Sequence, residues 1–211
     1  MNTTAPTPTT SMTSLRRIIQ DRKHDHLLSS ILYRHFDPIP AAAMLRHRMP
    51  RNQWRDGQID GSQFHAELTA AVKNRTAAVQ APKHLRPALS LLERYHFTPL
   101  PEVPVEELLF DDPKTGLCGK ADLVGWSGER EAVIEIKTTH EIPANYPYFE
   151  HSVQASALYP LVWGHPPEAY NNFIRVLYVS STAPHRAYLL PVQMPHKFCR
   201  IAVELAAHLK N

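Results

Sequence analysis

Two carboxylates and a lysine fall close together in the sequence and could act jointly in one chemical step. In the β-like run 132–138, Glu135 and Lys137 lie two residues apart, so they should share one face of a strand. Asp122 belongs to the preceding β-like run, and a short Ser-Gly turn signal separates the two runs. We therefore expect the two runs to pair as neighbouring strands and Asp122 to sit across from Glu135.

This trio suits a metal-dependent phosphodiesterase. Two carboxylates can hold one or two Mg²⁺ ions, which favour oxygen ligands, and the backbone carbonyl of Ile136 offers a further ligand. The ion would polarise a scissile phosphate and lower the pKa of a bound water. Lys137 would position that water or neutralise developing charge. The competing interpretation is a solvent-facing strand, on which Glu and Lys commonly alternate and a cross-strand Asp adds little specificity.

Flanking motifs favour the metal site over the solvent-facing strand. Four short motifs occur in sequence order: Gly61-x-x-x-His65, Gly119-x-x-Asp122, Glu135-x-Lys137 and a helical segment that begins at Gln154. In these motifs and their spacing, residues 57–195 resemble the PD-(D/E)XK nuclease superfamily and, within it, the RecB-type nuclease domains. The resemblance implies a restriction-endonuclease-like fold and metal-dependent cleavage of nucleic acid, with DNA favoured over RNA.

The resemblance also implies roles for single residues. His65, Asp122 and Glu135 match the metal ligands of the family, and Lys137 matches its catalytic lysine. The implied cofactor is one or two Mg²⁺ or Mn²⁺ ions, and an imidazole ligand makes activity with Mn²⁺ unsurprising. Taken alone, His65 is better explained as a histidine on a helix surface or capped in the core. Its position after Gly61 and before the strands of Asp122 and Glu135 shifts the preference toward a metal ligand.

The fourth motif departs from the family pattern. Gln154 matches the helix residue that contacts the active site or the nucleic-acid backbone. Tyr159, a further candidate for the catalytic site, follows Gln154 by five residues instead of four, which turns it away from the same helical face. Pro160 could kink the helix and partly restore that alignment. Ala121 also stands before Asp122, where the nominal family pattern has a proline that members often lack.

A basic segment upstream of these motifs is a second candidate for nucleic-acid contact. It carries four arginines and one tryptophan, which could bind phosphates and stack on a base: Arg46, Arg48, Arg51, Arg55 and Trp54. An ordinary basic loop explains the same composition.

Composition narrows the class of protein. The chain has 211 residues and a formal net charge of +3, which argues against a polybasic binder and against an acidic disordered tail. Its two cysteines, Cys118 and Cys199, lie far apart and are too few for a four-cysteine zinc or iron–sulfur site, so no iron–sulfur cluster is expected. We expect a cytoplasmic protein without a membrane partner, since no run approaches the roughly 20 apolar residues of a membrane span.

The secondary-structure pattern must position these residues. Residues 1–13 are rich in Thr, Pro and Ser and are predicted to form a disordered tail, followed by a single nuclease-like domain over 14–211. Apolar periodicity predicts helices at 14–36, 57–80, 82–95, 146–163 and 195–210. Strands are predicted at 103–110, 117–126, 132–138, 173–180 and 187–192, the first three as a meander. This order predicts an α/β domain with a central mixed sheet flanked by helices.

The sequence thus predicts a metal-dependent deoxyribonuclease and leaves several matters open. Exonuclease and endonuclease activity both fit, as do a homo-oligomer and membership of a repair, phage or defence complex. A different class of protein is also open, namely a non-catalytic nuclease-fold protein that binds nucleic acid or a protein partner. A third reading is a metal-dependent enzyme for another phosphate ester or a nucleotide, which would need an enclosed pocket instead of an open basic groove.

Overall fold

Seven strands and four α-helices make up the described part of the chain. A computed structural model describes residues 60–100, 109–112, 117–168 and 173–209. The helices are α1 (Gly61–Lys73), α2 (Arg86–Arg94), α3 (Phe149–Trp163) and α4 (Pro195–Leu209). The strands are β1 (Phe97–Pro99), β2 (Leu109–Asp112), β3 (Leu117–Lys120), β4 (Leu123–Ser127), β5 (Arg130–Thr139), β6 (Phe173–Ser180) and β7 (Ala187–Pro191).

Five of the strands form a mixed sheet between two layers of helices. The strand order is β1-β4-β5-β6-β7, with β5 and β6 parallel and the other pairs antiparallel. One core lies between the sheet and α1 and α2, and the second lies between the sheet and α3 and α4. The predicted α/β fold, with a central mixed sheet flanked by helices, is confirmed.

The central strand β5 alternates between these two cores as its sequence predicts. Ile134 and Ile136 are fully buried in the core that faces α1 and α2. Val133 is buried in the opposite core, which faces α3, and Glu135 and Lys137 follow it at two-residue intervals on the same side. The strand therefore delivers one carboxylate and one ammonium group toward α3.

The hairpin between β4 and β5 fixes which residues face each other across the strands. Gly128 takes the positive φ of 61° that its two-residue turn requires, and Ser127 pairs with Arg130. The ladder then runs to Leu123, which pairs with Ile134. The predicted pairing of these two strands is confirmed.

The predicted strand 117–126 is two strands in the structure. The chain leaves the ladder at residues 121–122, and β3 pairs with β2 in a separate two-stranded sheet. The predicted three-strand meander is therefore wrong, and residues 103–108 of its first strand lie outside the described residues. The break lies beside Asp122, which bonds a backbone group with its side chain as described below.

Other differences concern element ends. The predicted helix 57–80 ends at Lys73, because the chain turns through a positive φ of 52° at Arg75 before a short 3₁₀ turn (Ala78–Gln80). The edge strand β1 was not predicted from the sequence. It packs closely against Gly125 of β4, where a Cβ would lie 2.0 Å from the carbonyl oxygen of Thr98, so the glycine makes room for this strand.

Two predicted regions, the tail 1–13 and the helix 14–36, lie outside the described residues. Within the described residues, no helix combines the length and apolar character needed to cross a bilayer.

Candidate active site

Asp122 lies where the hydrogen-bonded ladder between β4 and β5 stops. Its Oδ2 accepts the backbone N–H of Ile136 at 2.7 Å, two residues beyond Ile134, which forms the last pair of the ladder with Leu123. The carboxylate thus supplies the acceptor that a continued β4 would have provided. This bond holds Asp122 against β5 next to Glu135.

Helix α1 brings His65 to the same place from the other layer. The helix starts close against the end of β5, since a Cβ on Gly61 would lie 2.5 Å from Oγ1 of Thr138. One turn later, Nδ1 of His65 lies 3.4 Å from Oδ1 of Asp122. The glycine and the histidine of the first motif therefore act together, because the close approach at Gly61 lets His65 reach the carboxylate.

Glu135, Lys137 and Gln154 form a closed ring of hydrogen bonds. Lys137 Nζ donates to Glu135 Oε1 at 2.6 Å and to Gln154 Oε1 at 3.1 Å, and Gln154 Nε2 donates to Glu135 Oε1 at 2.7 Å. Glu135 is only 3% exposed, and its Oε2 is buried without a hydrogen-bond partner among the described residues. An unpartnered buried carboxylate oxygen is costly, so it marks a position suited to a cation.

The charge of Asp122 perturbs the neighbouring carboxyl group of Glu135. Burial, followed by the nearby charge of Asp122, raises the pKa of Glu135 from its ordinary 4.5 to about 7, although Lys137 opposes this shift. Burial also raises the pKa of Asp122, but His65, Lys137 and the backbone N–H of Ile136 together outweigh that effect and hold its pKa below the ordinary 3.8. One carboxylate is therefore ionised while its neighbour titrates near neutrality, and a bound cation would relieve their repulsion.

The donor set fits a hard divalent cation by chemistry and burial. Carboxylate oxygens of Asp122 and Glu135 could hold it, with the Ile136 carbonyl and the His65 imidazole as further ligands. Among the described residues, however, no three His, Cys, Asp or Glu side chains are already grouped as a metal site. Glu135 shares one oxygen with Lys137 and Gln154, so its other oxygen, Oε2, is the one available to a cation.

Sequence reasoning missed two further residues on this face of the sheet. Tyr178 lies directly beside Lys137 in the parallel register, and its hydroxyl contacts Nδ1 of His151 at 2.7 Å. Burial and the charge of Lys137 lower the pKa of His151 to about 4, so this imidazole is neutral at pH 7. His151 precedes Gln154 by three residues, which was a usable signal, whereas Tyr178 enters only through the pairing of β5 with β6.

Tyr159 does not join this group. Its hydroxyl donates to Glu131, which precedes Glu135 by four residues, or roughly 13 Å along the strand. The structure therefore brings together His65, Asp122, Glu135, Lys137 and Gln154 but places Tyr159 elsewhere. The predicted nucleic-acid contacts Arg46, Arg48, Arg51, Trp54 and Arg55 lie outside the described residues.

Comparison with known proteins adds little. No protein-family model matches the chain, and no curated protein is similar to it. Among solved structures, the crystal structure of SSO0001 is similar, with 17% sequence identity over 92% of this chain and 89% of that chain. Its TM-score of 0.30 is too low for the likeness to support a fold family or a function.

Proposed function

We propose that the protein is a metal-dependent nuclease that hydrolyses phosphodiester bonds of DNA. The observation that supports this proposal is the Asp122 carboxylate, held against β5 beside Glu135 and Lys137, together with one buried Glu135 oxygen that has no hydrogen-bond partner among the described residues. The preference for DNA over RNA rests on the resemblance to RecB-type nuclease domains alone. We also propose that the protein acts in the cytoplasm, as a homo-oligomer or within a repair, phage or defence complex.

Each residue has a distinct part in this proposal. Asp122 and Glu135 would hold Mg²⁺ or Mn²⁺, with His65 and the Ile136 carbonyl as additional ligands. The bound ion would supply charge stabilisation and a water of lowered pKa. Lys137 would place its ammonium group against the phosphate oxygens as negative charge develops there.

Gln154 is a positioning residue in this scheme. Its amide bonds both Glu135 and Lys137, so it fixes the separation of the carboxylate from the ammonium group. These two side chains would otherwise rotate independently, and a fixed geometry lowers the cost of reaching the transition state.

The test is cleavage of linear and circular DNA, each single- and double-stranded, with Mg²⁺, Mn²⁺ or EDTA. We expect cleavage only with a divalent ion, and a loss of at least about 10²-fold in Glu135→Ala and in Lys137→Ala. Cleavage of linear but not circular substrates would identify an exonuclease. A wild-type protein that cleaves nothing, or two variants as active as wild type, would refute the proposal.

A non-catalytic nuclease-fold protein is the second candidate. The ring of Glu135, Lys137 and Gln154 favours it, because the two charges already neutralise each other without an ion. The absence of a ready-made group of three ligands among the described residues points the same way. This candidate predicts DNA binding that is unaffected by EDTA and is not followed by cleavage.

A further inference from the structure

A cavity opens at the carboxyl ends of β5 and β6, beside the candidate active site. Its volume is about 520 Å³, within the range of small-molecule sites. The loop after β5 supplies His140, and the β6–β7 hairpin supplies Ser180, Thr182, Arg186 and Tyr188. None of these residues has a part in the function proposed above.

The strand register places this cavity on the same face of the sheet as Lys137. Lys137 pairs with Tyr178, which pairs in turn with Tyr188. Directly paired residues of neighbouring strands point to the same face, so Tyr188 shares the face of Lys137. Leu190 supports this assignment, since it lies two residues further along β7 and packs in the core that faces α3. Two strand spacings separate Lys137 from Tyr188, or roughly 10 Å.

The cavity has the two chemical features that bind a nucleotide unit. Arg186 is exposed, and none of the ion pairs among the described residues involves its guanidinium group, whose fork matches a phosphate. Tyr188 is 42% exposed and offers an aromatic face for base stacking. The imidazole of His140 lies 3.0 Å from Ser181 Oγ through its Nδ1 and adds a second nitrogen-containing side chain, after Arg186, at the rim of the cavity.

We propose that this cavity is a subsite for one nucleotide of single-stranded DNA that flanks the scissile phosphate. Arg186 binds the phosphate of that nucleotide, and Tyr188 stacks on its base. The inference rests on the proposed nuclease function, because it takes the site at Lys137 as the point of cleavage. It adds a strand preference to that function, since a base can stack on Tyr188 only when it is unpaired.

The test separates binding from cleavage by measuring fluorescence anisotropy of a fluorescein-labelled single-stranded oligo(dT) in EDTA. We expect Arg186→Gln to weaken binding about 5- to 20-fold and to reduce the salt dependence by about one counterion. Tyr188→Ala should weaken binding about 5- to 100-fold, whereas Tyr188→Phe keeps the ring and should bind within about twofold of wild type. Lys83→Gln is the control. It removes an exposed charge from the layer of α1 and α2, on the other side of the sheet, and should leave oligo(dT) binding unchanged.

Each outcome decides the inference. Equal binding by wild type, Arg186→Gln and Tyr188→Ala overturns it, and so does a wild type that binds no oligo(dT). Complete displacement by thymidine monophosphate at concentrations matching the oligonucleotide overturns it in favour of a free-nucleotide site. Cleavage by wild type and by Glu135→Ala, run in parallel, tests the nuclease function separately, so loss of the subsite and loss of the nuclease are distinguishable.

Discussion

The two halves of strand β5, the Glu131 end and the Glu135 end, present similar contacts with helix α3 but different chemistry. Both Glu131 and Glu135 accept hydrogen bonds from α3, the first from Tyr159 and the second from Gln154. At Glu131 the second neighbour is a half-exposed imidazole, that of His165 at 3.0 Å. At Glu135 the neighbours are a lysine and a second carboxylate.

The backbone explains why only one end gathers two carboxylates. Around Glu131 the ladder with β4 is complete, with Trp126 as its direct partner. Beyond Ile134 the ladder has stopped, and the side chain of Asp122 accepts the N–H of Ile136, for which β4 offers no backbone acceptor. Where the pairing of two strands ends, an ionisable side chain can thus bond a backbone N–H that the neighbouring strand would bond in an unbroken ladder.

The strongest test of this contrast is the same type of substitution at each end. Asp122→Asn keeps an oxygen for the Ile136 N–H but removes the charge, and we expect cleavage to fall about 10²- to 10³-fold. Glu131→Gln should change the cleavage rate less than about twofold. Single-turnover rates on one linear DNA substrate with Mn²⁺ measure both. Similar losses at both ends would show that the chemistry is not confined to the Glu135 end.

The pH dependence of stability gives the next largest effect. The pKa of Glu135 is raised from 4.5 to about 7 in the folded state, so the folded protein binds that proton more tightly than the unfolded chain. Glu135 therefore stabilises the fold below about pH 4.5, and this contribution is lost as the pH rises through 7. Glu135→Gln removes this titration. As the pH rises from 4.5 to 7, the free energy of unfolding of the variant should therefore increase relative to that of wild type by up to about 3 kcal/mol.

Urea unfolding in EDTA at a series of pH values measures this difference. Asp122→Asn is the matched control, because removing the neighbouring charge lowers the pKa of Glu135 and should shrink the slope. A difference between wild type and Glu135→Gln that stays constant from pH 4.5 to 8 would contradict the assignment.

The smallest effect is expected at Tyr159. Tyr159→Phe removes the hydrogen bond to Glu131 but keeps the buried ring, so we expect a loss of about 1 kcal/mol of stability and a Tm lower by about 2–4 °C. Cleavage should remain within about twofold of wild type. Circular dichroism melting measures the stability, and the single-turnover assay measures the cleavage rate. A tenfold loss of activity would show that Tyr159 contributes to the active site after all.

The parts of the site that could be predicted from the sequence depend on local geometry. Alternation along β5 determines that Glu135 and Lys137 share a face, and the short turn at Gly128 determines that β4 is the neighbour. The contact of Gln154 with that face was expected from the family resemblance and agrees with the observed hydrogen bonds.

The rest could not be predicted, because it depends on pairings between distant parts of the chain. Tyr178 reaches Lys137 only because β6 adds to β5 in parallel after the crossover through α3. The break before Asp122 also looks like continuous strand in the sequence, because the bond found there joins the Asp122 side chain to Ile136 on another strand. Tyr159 lies away from the site because its five-residue spacing from Gln154 turns it off that helical face, and helix α3 runs through Pro160 without restoring the alignment.

The borders of the five-stranded sheet carry a consequence for self-association. The outer strand β1 has three residues and ends at Pro99, and β7 on the other side has five and ends at Pro191. Short outer strands that end in proline offer few free amide groups to a second molecule, which discourages fibrous, edge-to-edge polymerisation. These two edges therefore favour contacts through side-chain surfaces over extension of the five-stranded sheet from one copy into the next.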